Sequence, residues 1–263
     1  MTDTRHGKIP KWYDKDSEHY DTFNEDAVNS SITNNTIYEI LQKCHVKTVL
    51  DLTCGTGSQV FWLAKRGYIV TGSDISLGML GVAKYKATCE NIDIKLLHGD
   101  MRNIKVGKFD VAITIFNAIG HLTKFGFEKT MRNIYDNLND EGIYIFDIFN
   151  LNYLMYADNI SNLTIDWIKT VGDDAKSRKI QYSIIDNRGV LASHTIEYDQ
   201  DNSGKLKTVK TLQTLQCYTA KQIIEMLYKN GFEVLGQYGI DGSKFSEIET
   251  ERILTVAKKK VHY

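Results

Sequence analysis

Several features that mark special classes of protein are scarce or missing in this chain of 263 residues. It contains one proline, Pro10, which argues against a proline-rich linker or tail. The four cysteines, Cys44, Cys54, Cys89 and Cys217, form no CxxC pair, and the histidines form no HxH or HExxH pattern. We therefore expect no metal site and no disulfide framework, and we expect reduced thiols of the kind found in the cytoplasm.

The chain also has no excess of charge of one sign and no long apolar run. The 32 basic and 33 acidic side chains nearly cancel, which gives no electrostatic footprint for nucleic acid or an acidic membrane. No stretch approaches the roughly 20 apolar residues of a membrane span, and the first residues are polar. We expect a cytoplasmic protein with a small-molecule substrate and with no nucleic-acid or membrane partner.

The most informative stretch that is present is VLDLTCGTG at residues 49–57. An apolar run that ends in Asp51 predicts a buried strand, and the glycines predict a tight turn before a helix at 58–67. A strand, a glycine turn and a helix N-terminus let backbone approach a bound cofactor closely. A carboxylate at the strand end could hold a cationic group, such as the ammonium of an amino-acid-like cofactor.

Two kinds of cofactor fit such a turn. A dinucleotide fingerprint needs a third glycine where Val60 stands, so this reading is disfavoured. The residues instead resemble the first motif of class I S-adenosylmethionine (SAM)-dependent methyltransferases, usually LDLGCGTG. Thr53 departs from that form. The resemblance implies that SAM is the cofactor and that Asp51, Thr53, Gly55 and Gly57 lie at its binding loop.

The order of predicted elements gives the fold class. Strands at 68–75, 92–100, 109–116 and 142–149 alternate with helices, as in βαβ units with a parallel sheet. From about Trp167 to Tyr218 the pattern changes to alternating apolar and polar residues with turns, which predicts an antiparallel meander. A helix that begins after Thr219 and two further strands follow.

The predicted fold is therefore an α/β, doubly wound, Rossmann-like sheet of seven mostly parallel strands with an inserted antiparallel β meander. The order resembles class I methyltransferases, and the meander resembles the subdomain of small-molecule N-methyltransferases of the aminosugar and glycine/sarcosine type. We expect four regions: an N-terminal lid at 1–27, a SAM-binding core at 28–150, an inserted substrate or oligomer subdomain at 151–218, and the completion of the core at 219–263.

Three acids end successive predicted strands, Asp51, Asp74 and Asp100. Parallel strands bring their carboxyl ends to one edge of the sheet, so the three carboxylates should gather there. Each acid alone is typical of a turn or a helix cap. Clustered carboxylates are unfavourable without partners, which favours a binding role for the set.

The resemblance assigns parts of the cofactor to these positions. It implies that Asp74 binds the SAM ribose, and that Asp100 and the backbone of Met101 bind the adenine edge. Ile75 and Met79 would pack on the adenine face, although a role as helix-face core residues is the alternative for both.

The segment FNAIGHL at 116–122 follows the fourth strand. Backbone at Phe116 or Asn117 should face the methionine portion of the cofactor. His121 lies just past the strand end, where loops carry chemistry in α/β folds. The segment resembles one in the N-methyltransferases in which the histidine lies close to the acceptor, so His121 is the candidate catalytic residue.

The N-terminal stretch around Tyr20 is aromatic and acidic. A surface helix is the simplest interpretation, but in the resembling family an analogous Tyr-Asp segment closes over the cofactor. Tyr20 is the first choice for a tyrosine that faces the active site, and Tyr13 is the second. Aromatic rings and carboxylates suit a sulfonium and a protonatable amine.

The sequence thus predicts a SAM-dependent methyltransferase that acts on a small molecule, with an amine nitrogen as the expected acceptor. A dinucleotide-dependent oxidoreductase and a non-catalytic SAM-binding protein are the alternatives. The meander is expected to shape the acceptor pocket, with Tyr182, His194 and Tyr198 as candidates, or to form a homodimer interface.

Overall fold

The structure contains two β-sheets, and helices cover the larger one. The computed structural model describes residues 12–15, 17, 20–23, 27–171, 175–200 and 204–261. The strands are β1 Thr48–Asp51, β2 Ile69–Asp74, β3 Lys95–His98, β4 Phe109–Thr114, β5 Leu138–Phe149, β6 Ile165–Val171, β7 Ala175–Ile185, β8 Val190–Gln200, β9 Leu206–Gln216, β10 Phe232–Gly239 and β11 Arg252–Lys259. The α-helices are α1 Trp12–Lys15, α2 Tyr20–Phe23, α3 Ala27–Gln42, α4 Ser58–Ala64, α5 Leu77–Cys89, α6 Lys124–Asn137, α7 Leu151–Met155 and α8 Ala220–Lys229. Short 3-10 turns cover Ala118–His121 and Asn159–Leu163.

Within the described residues, the larger sheet has seven strands in the order β10-β11-β5-β4-β1-β2-β3. Strands β1 to β5 pair in parallel, and β11 runs antiparallel between β5 and β10. This confirms the predicted doubly wound, mostly parallel sheet. The carboxyl ends of β1, β2, β3 and β4 therefore lie along one edge, where open α/β sheets bind ligands.

The apolar runs of β1 and β4 are explained by burial on both faces of the sheet. Val49 of β1 and Val111 of β4 share one core with α3, α4 and α5. The next residues along each strand, Leu50 and Ala112, belong to a second core with α6 and α8. Side chains of a strand alternate between its faces, so a strand covered by helices on both sides needs apolar residues at every position.

The predicted helix starts are present in the structure. The hydroxyl of Ser76 accepts a hydrogen bond from the N–H of Met79 at the start of α5. Thr219 forms a capping box with Gln222 at the start of α8. Such caps satisfy N–H groups that a helix leaves unpaired, and each stabilises its helix by about 1 kcal/mol.

The smaller sheet is the predicted meander. Strands β6, β7, β8 and β9 pair antiparallel in sequence order, in the part of the chain between β5 and α8. The β7–β8 turn contains Gly189, which has a φ of 78°, and the carboxylate of Asp186 accepts from backbone N–H groups across the turn. Strand β9 runs beside the 3-10 turn that contains His121, which brings the small sheet to the edge of the large one.

No helix in the described part of the chain combines the length and the apolar content that crossing a membrane requires.

Candidate active site

A cavity of about 740 Å³ opens where the parallel strands of the larger sheet end. Its walls include most of the residues predicted from the sequence: Tyr20, Thr53, Gly55, Asp74, Ile75, Met79, Asp100, Met101, Phe116, Asn117 and His121. Gln213 and Leu215 of β9 contribute from the smaller sheet. The two sheets therefore enclose one cavity.

Asp51 lies behind the cavity wall, at the end of β1, and is almost fully buried. Its Oδ1 accepts a hydrogen bond of 3.0 Å from the N–H of Thr53. Its Oδ2 and the Oγ1 of Thr53 are both buried without a hydrogen-bond partner among the described residues. Burial, together with the nearby charge of Asp74, raises the pKa of Asp51 to about 7. This carboxylate is stabilised by any cation that approaches the loop.

The two glycines of the loop have different physical roles. Gly55 lines the cavity with a φ of 51°, and its N–H donates to Oδ2 of Asp74 at 2.8 Å. Gly57 has a φ of 95°, and a Cβ there would lie 2.3 Å from a ring carbon of Phe61. Gly57 therefore lies below the wall and allows α4 to pack against the turn, because only glycine tolerates both the conformation and the close approach.

Asp74 ends β2 with both carboxylate oxygens facing backbone donors. Oδ2 accepts from Gly55, and Oδ1 accepts from the N–H of Ser76 at 2.8 Å. Burial raises the pKa of Asp74 in spite of these hydrogen bonds. Each carboxylate oxygen can accept a further hydrogen bond, so Asp74 is able to bind a pair of hydroxyl groups.

Asp100 carries a partner that the sequence analysis missed. Both of its oxygens accept from Nε of Arg102, at 2.9 and 3.0 Å, and Nη2 of Arg102 donates to Oδ2 at 2.5 Å. Burial opposes ionisation of Asp100, but Arg102 holds the pKa of this carboxyl below its usual range. The neighbouring Met101 is anchored through its carbonyl, which accepts from the side-chain amide of Asn133 at 3.0 Å.

The backbone after β4 is held in a rare conformation. Phe116 and Asn117 have φ values of 61° and 55°, in the left-handed region that costs non-glycine residues about 1 kcal/mol or more each. Asn117 is fixed by two hydrogen bonds, from its N–H to Oδ2 of Asp147 and from the N–H of Phe149 to its Oδ1. Strain maintained in this way at a cavity wall is typical of functional sites.

His121 lies in the 3-10 turn after this strand and is paired with a tyrosine. Its Nε2 is 3.1 Å from the hydroxyl of Tyr13, and the two rings meet edge to face at 5.6 Å. Burial lowers the pKa of His121 to about 4 and raises the pKa of Tyr13. Both groups are therefore neutral near pH 7. Tyr13, the second choice in the sequence analysis, contacts His121, while the ring of Tyr20 lies 6.0 Å from that of Tyr13.

The short helices α1 and α2 cover the cavity and are fastened to the core at two points. On α1, Asp14 accepts from the hydroxyl of Ser76 at 2.6 Å. On α2, Asp21 accepts from the hydroxyl of Thr56 at 2.7 Å and from Nζ of Lys86 at 2.5 Å. We call these contacts the N-terminal clasp. His19, which belongs to the same predicted segment, lies outside the described residues.

Comparison with known proteins identifies a methyltransferase domain in this chain. Residues 49–142 match the family model of a methyltransferase domain. A putative methyltransferase from Geobacillus sp. (strain WCH70) is 29% identical over 221 residues, which cover 81% of this chain and 85% of the relative. A glycine/sarcosine N-methyltransferase from Aphanothece halophytica is 25% identical over 228 residues, which cover 83% of this chain and 78% of the relative.

Solved structures agree in fold. A SAM-dependent methyltransferase from Clostridium acetobutylicum superposes with a TM-score of 0.77 at 19% identity, covering 95% of this chain and 99% of the other. The sugar N-methyltransferase KedS8 from a Streptoalloteichus species gives 0.71 at 16% identity, covering 97% and 95%. The chain contains a methyltransferase domain with the class I fold and is a SAM-dependent methyltransferase. The cofactor of this methyltransferase is SAM, and the oxidoreductase alternative is disfavoured.

The cavity of the methyltransferase fits SAM by an observation independent of these likenesses. Asp51 and Asp74 follow one another along the sheet edge, each with acceptor capacity left over, whereas each oxygen of Asp100 already accepts two hydrogen bonds from Arg102. The buried Oδ2 of Asp51 and the Oγ1 of Thr53 are unsatisfied among the described residues. A ligand with an ammonium group and ribose hydroxyls supplies donors that match Asp51, Thr53 and Asp74, since polar groups buried without partners are unfavourable.

The cavity wall also contains residues that the sequence did not predict. Gln213 and Leu215 of β9 and Arg252 at the start of β11 all line the cavity. Alternation places Gln213 and Leu215 on one face of β9, but the sequence does not say which face is turned inward. Arg252 reaches the cavity because β11 pairs antiparallel with β5, and the pattern of apolar and polar residues in the sequence does not reveal this pairing.

The three acceptor-pocket candidates in the meander were wrong. Tyr182, His194 and Tyr198 share the opposite face of the smaller sheet and do not belong to the cavity wall in the part of the chain that is described. The rings of Tyr182 and His194 stack on each other at 4.8 Å, and Tyr182 is 49% exposed. A homodimer stays a prediction.

Proposed function

We propose that this enzyme transfers the methyl group of SAM to an amine nitrogen of a small molecule bound between His121 and the smaller sheet. The observation that carries the proposal is the buried, uncharged His121–Tyr13 pair in the same cavity as the glycine loop. The names of the relatives support an amine, since they include a glycine/sarcosine and a sugar N-methyltransferase.

The cofactor contacts are proposed from the geometry of the cavity. Thr53 in the wall, with Asp51 directly behind it, would hold the amino-acid end, Gly55 would let the ligand approach the backbone, and Asp74 would accept from ribose hydroxyls. The adenine would contact Asp100 and the backbone of Met101, with Ile75 and Met79 against its face, and the methionine portion would run past Phe116 and Asn117. Gly57 supports the loop from below.

When bound, SAM supplies an electrophilic methyl group on a sulfonium, and direct displacement from it needs alignment and exclusion of water. The acceptor nitrogen must be uncharged to react. His121, with a pKa of about 4, stays neutral, so its Nδ1, which is buried without a partner among the described residues, can accept a hydrogen bond from the amine without placing a second cation near the sulfonium. Tyr13 orients the imidazole through its hydrogen bond to Nε2.

The proposal is tested with a binding titration and an acceptor panel. Calorimetry should show saturable binding of SAM and of its demethylated product, and none of NAD. Amines should be methylated faster than alcohols or carboxylic acids of similar size. His121→Asn should reduce kcat at least tenfold across pH 6–9 with the best amine, whereas His45→Asn, on an exposed surface, should not. Full turnover by His121→Asn would remove the role given to this residue, and a preference for hydroxyl acceptors would refute the amine.

A further inference from the structure

We infer that the methyl acceptor carries an oxyanion group, a carboxylate or a phosphate, and that Arg252 binds it. This inference rests on the proposed function, because it describes the acceptor of that same cavity.

Arg252 is placed on the acceptor side of the cavity. It begins β11 and pairs in register with Phe149 of β5. In the strand order, β5 and β11 lie on one side of β1, while β2, which ends in Asp74, and β3, which precedes Asp100, lie on the other. The guanidinium is centred 5.5 Å from the ring of Phe116, which lines the cavity. Arg252 is therefore remote from the end proposed for the adenosyl group.

The hydrogen bonds of Arg252 leave one edge of its guanidinium available. Nε donates to Oδ2 of Asp147 at 2.8 Å, and Nη2 donates to the same oxygen. Within the described residues the guanidinium makes no other hydrogen bond, so the fork formed by Nη1 and Nη2 is open. A guanidinium fork matches the two oxygens of a carboxylate or phosphate in spacing and direction.

Asp147 holds the arginine in this orientation. It is fully buried, and its Oδ2 also accepts from the N–H of Asn117, so one carboxylate fixes both the strained backbone and the guanidinium. A buried ion pair is weak evidence for a purely stabilising role, because its desolvation offsets the attraction. The pair has a functional explanation if Asp147 orients the guanidinium of Arg252 so that its free N–H groups face a ligand.

The other cations of the cavity wall are engaged elsewhere. Lys86, on the helix that follows β2, donates to Asp21. Lys65, directly after the helix that follows β1, pairs with Glu90 at 2.7 Å. Gln213 of β9 lines the same cavity as Arg252, so its side-chain amide can add a donor. An acceptor with an amine and an oxyanion thus has a place for each group.

The test measures anion binding without requiring turnover. Protein saturated with the demethylated cofactor is titrated with sodium acetate and, separately, with inorganic phosphate, and binding is followed by NMR. The variant is the double substitution Asp147→Asn with Arg252→Gln, which removes both charges together and so leaves no unpaired buried carboxylate. The matched control is Asp166→Asn with Arg178→Gln, since in this exposed pair the arginine also donates from Nε and Nη2 to an aspartate, at 2.9 and 2.7 Å.

We expect wild type and control to bind one of the two anions saturably, and the Asp147/Arg252 variant to bind it at least tenfold more weakly. The anion that binds distinguishes a carboxylate from a phosphate. Binding that is unchanged in the variant, or absent in wild type, overturns the inference while leaving amine methylation intact. If anion binding depends on Arg252 but no amine is methylated, the proposed function is refuted while the anion site at Arg252 is confirmed.

Discussion

The imidazole of His121 loses most of its hydration when the chain folds. Its ordinary pKa of 6.5 falls to about 4 because burial disfavours the charged form. The native state therefore binds fewer protons at this residue than the unfolded chain between pH 4 and 6.5. The stabilising contribution is complete above pH 6.5 and is lost as the pH falls toward 4.

At the residue scale we predict a pH-dependent loss of stability that belongs to His121. Between pH 6.5 and pH 5 it should lower the free energy of unfolding by about 2 kcal/mol. His121→Asn should make the profile flatter over this range, as measured by urea unfolding with the demethylated cofactor absent. His45→Asn should keep the slope of the wild type. Parallel profiles for wild type and His121→Asn would contradict the pKa assignment.

Some residues of the site could be predicted from the sequence around them, and others are placed by contacts between distant parts of the chain. Asp51, Asp74 and His121 could be predicted because each follows an apolar run, and the carboxyl ends of parallel strands meet at one edge. Arg252 and Gln213 could not be predicted, since their place depends on how distant strands insert and which face of the meander turns inward. Asp147 is hidden within an apolar strand, and only tertiary structure shows that it anchors the loop.

Elements differ in the same way. Strands β1 and β4 were predicted because burial on both faces requires continuous apolar runs, and α5 and α8 because Ser76 and Thr219 cap them. Helices α1 and α2 have four residues each, too few to be stable alone. They are held in place by contacts with the core, and the spacing of apolar residues in the sequence does not predict these contacts.

At the element scale we predict that the N-terminal clasp controls closure of the cavity. Asp21 is about half exposed, so its ion pair should contribute less than about 1 kcal/mol to global stability. Asp21→Ala should therefore leave the melting temperature nearly unchanged but speed amide hydrogen exchange in α1 and α2. It should also weaken SAM binding several-fold, because Tyr13 and Tyr20 would no longer be held over the cavity.

The control for the clasp is Asp136→Ala, which removes a similar exposed Lys–Asp pair at 2.6 Å on the opposite part of the fold. It should change neither exchange in the N-terminal helices nor cofactor affinity. If Asp21→Ala bound SAM as tightly as wild type, the clasp would be a surface contact without a role in closure.

At the scale of the whole molecule, folding and cofactor binding are coupled through one buried acid. Asp51 has an ordinary pKa of 3.8 and a folded pKa of about 7. Over that interval the native state binds more protons than the unfolded chain, so stability falls as the pH rises, by about 4 kcal/mol once the pH exceeds 7. The fold thus retains a destabilising carboxylate at its central strand, at the point where a cationic ligand group would offset it.

The ionisation of Asp51 should set how strongly the cofactor stabilises the protein at each pH. A ligand that binds only the native state raises stability in proportion to its affinity, and an ammonium group gains most from Asp51 when the carboxylate is ionised. The rise in melting temperature caused by the demethylated cofactor should therefore be larger at pH 7.5 than at pH 5.5. Asp51→Asn should raise the melting temperature of the cofactor-free protein at pH 7.5 and make the cofactor's effect small and independent of pH. The control is Asp110→Asn. Asp110 has a pKa of about 2 and accepts a hydrogen bond from the N–H of Thr48 at the opposite end of the same sheet, so this substitution should lower stability without changing how the cofactor's effect depends on pH. An equal cofactor effect at both pH values in wild type would show that Asp51 does not meet the charged end of the ligand.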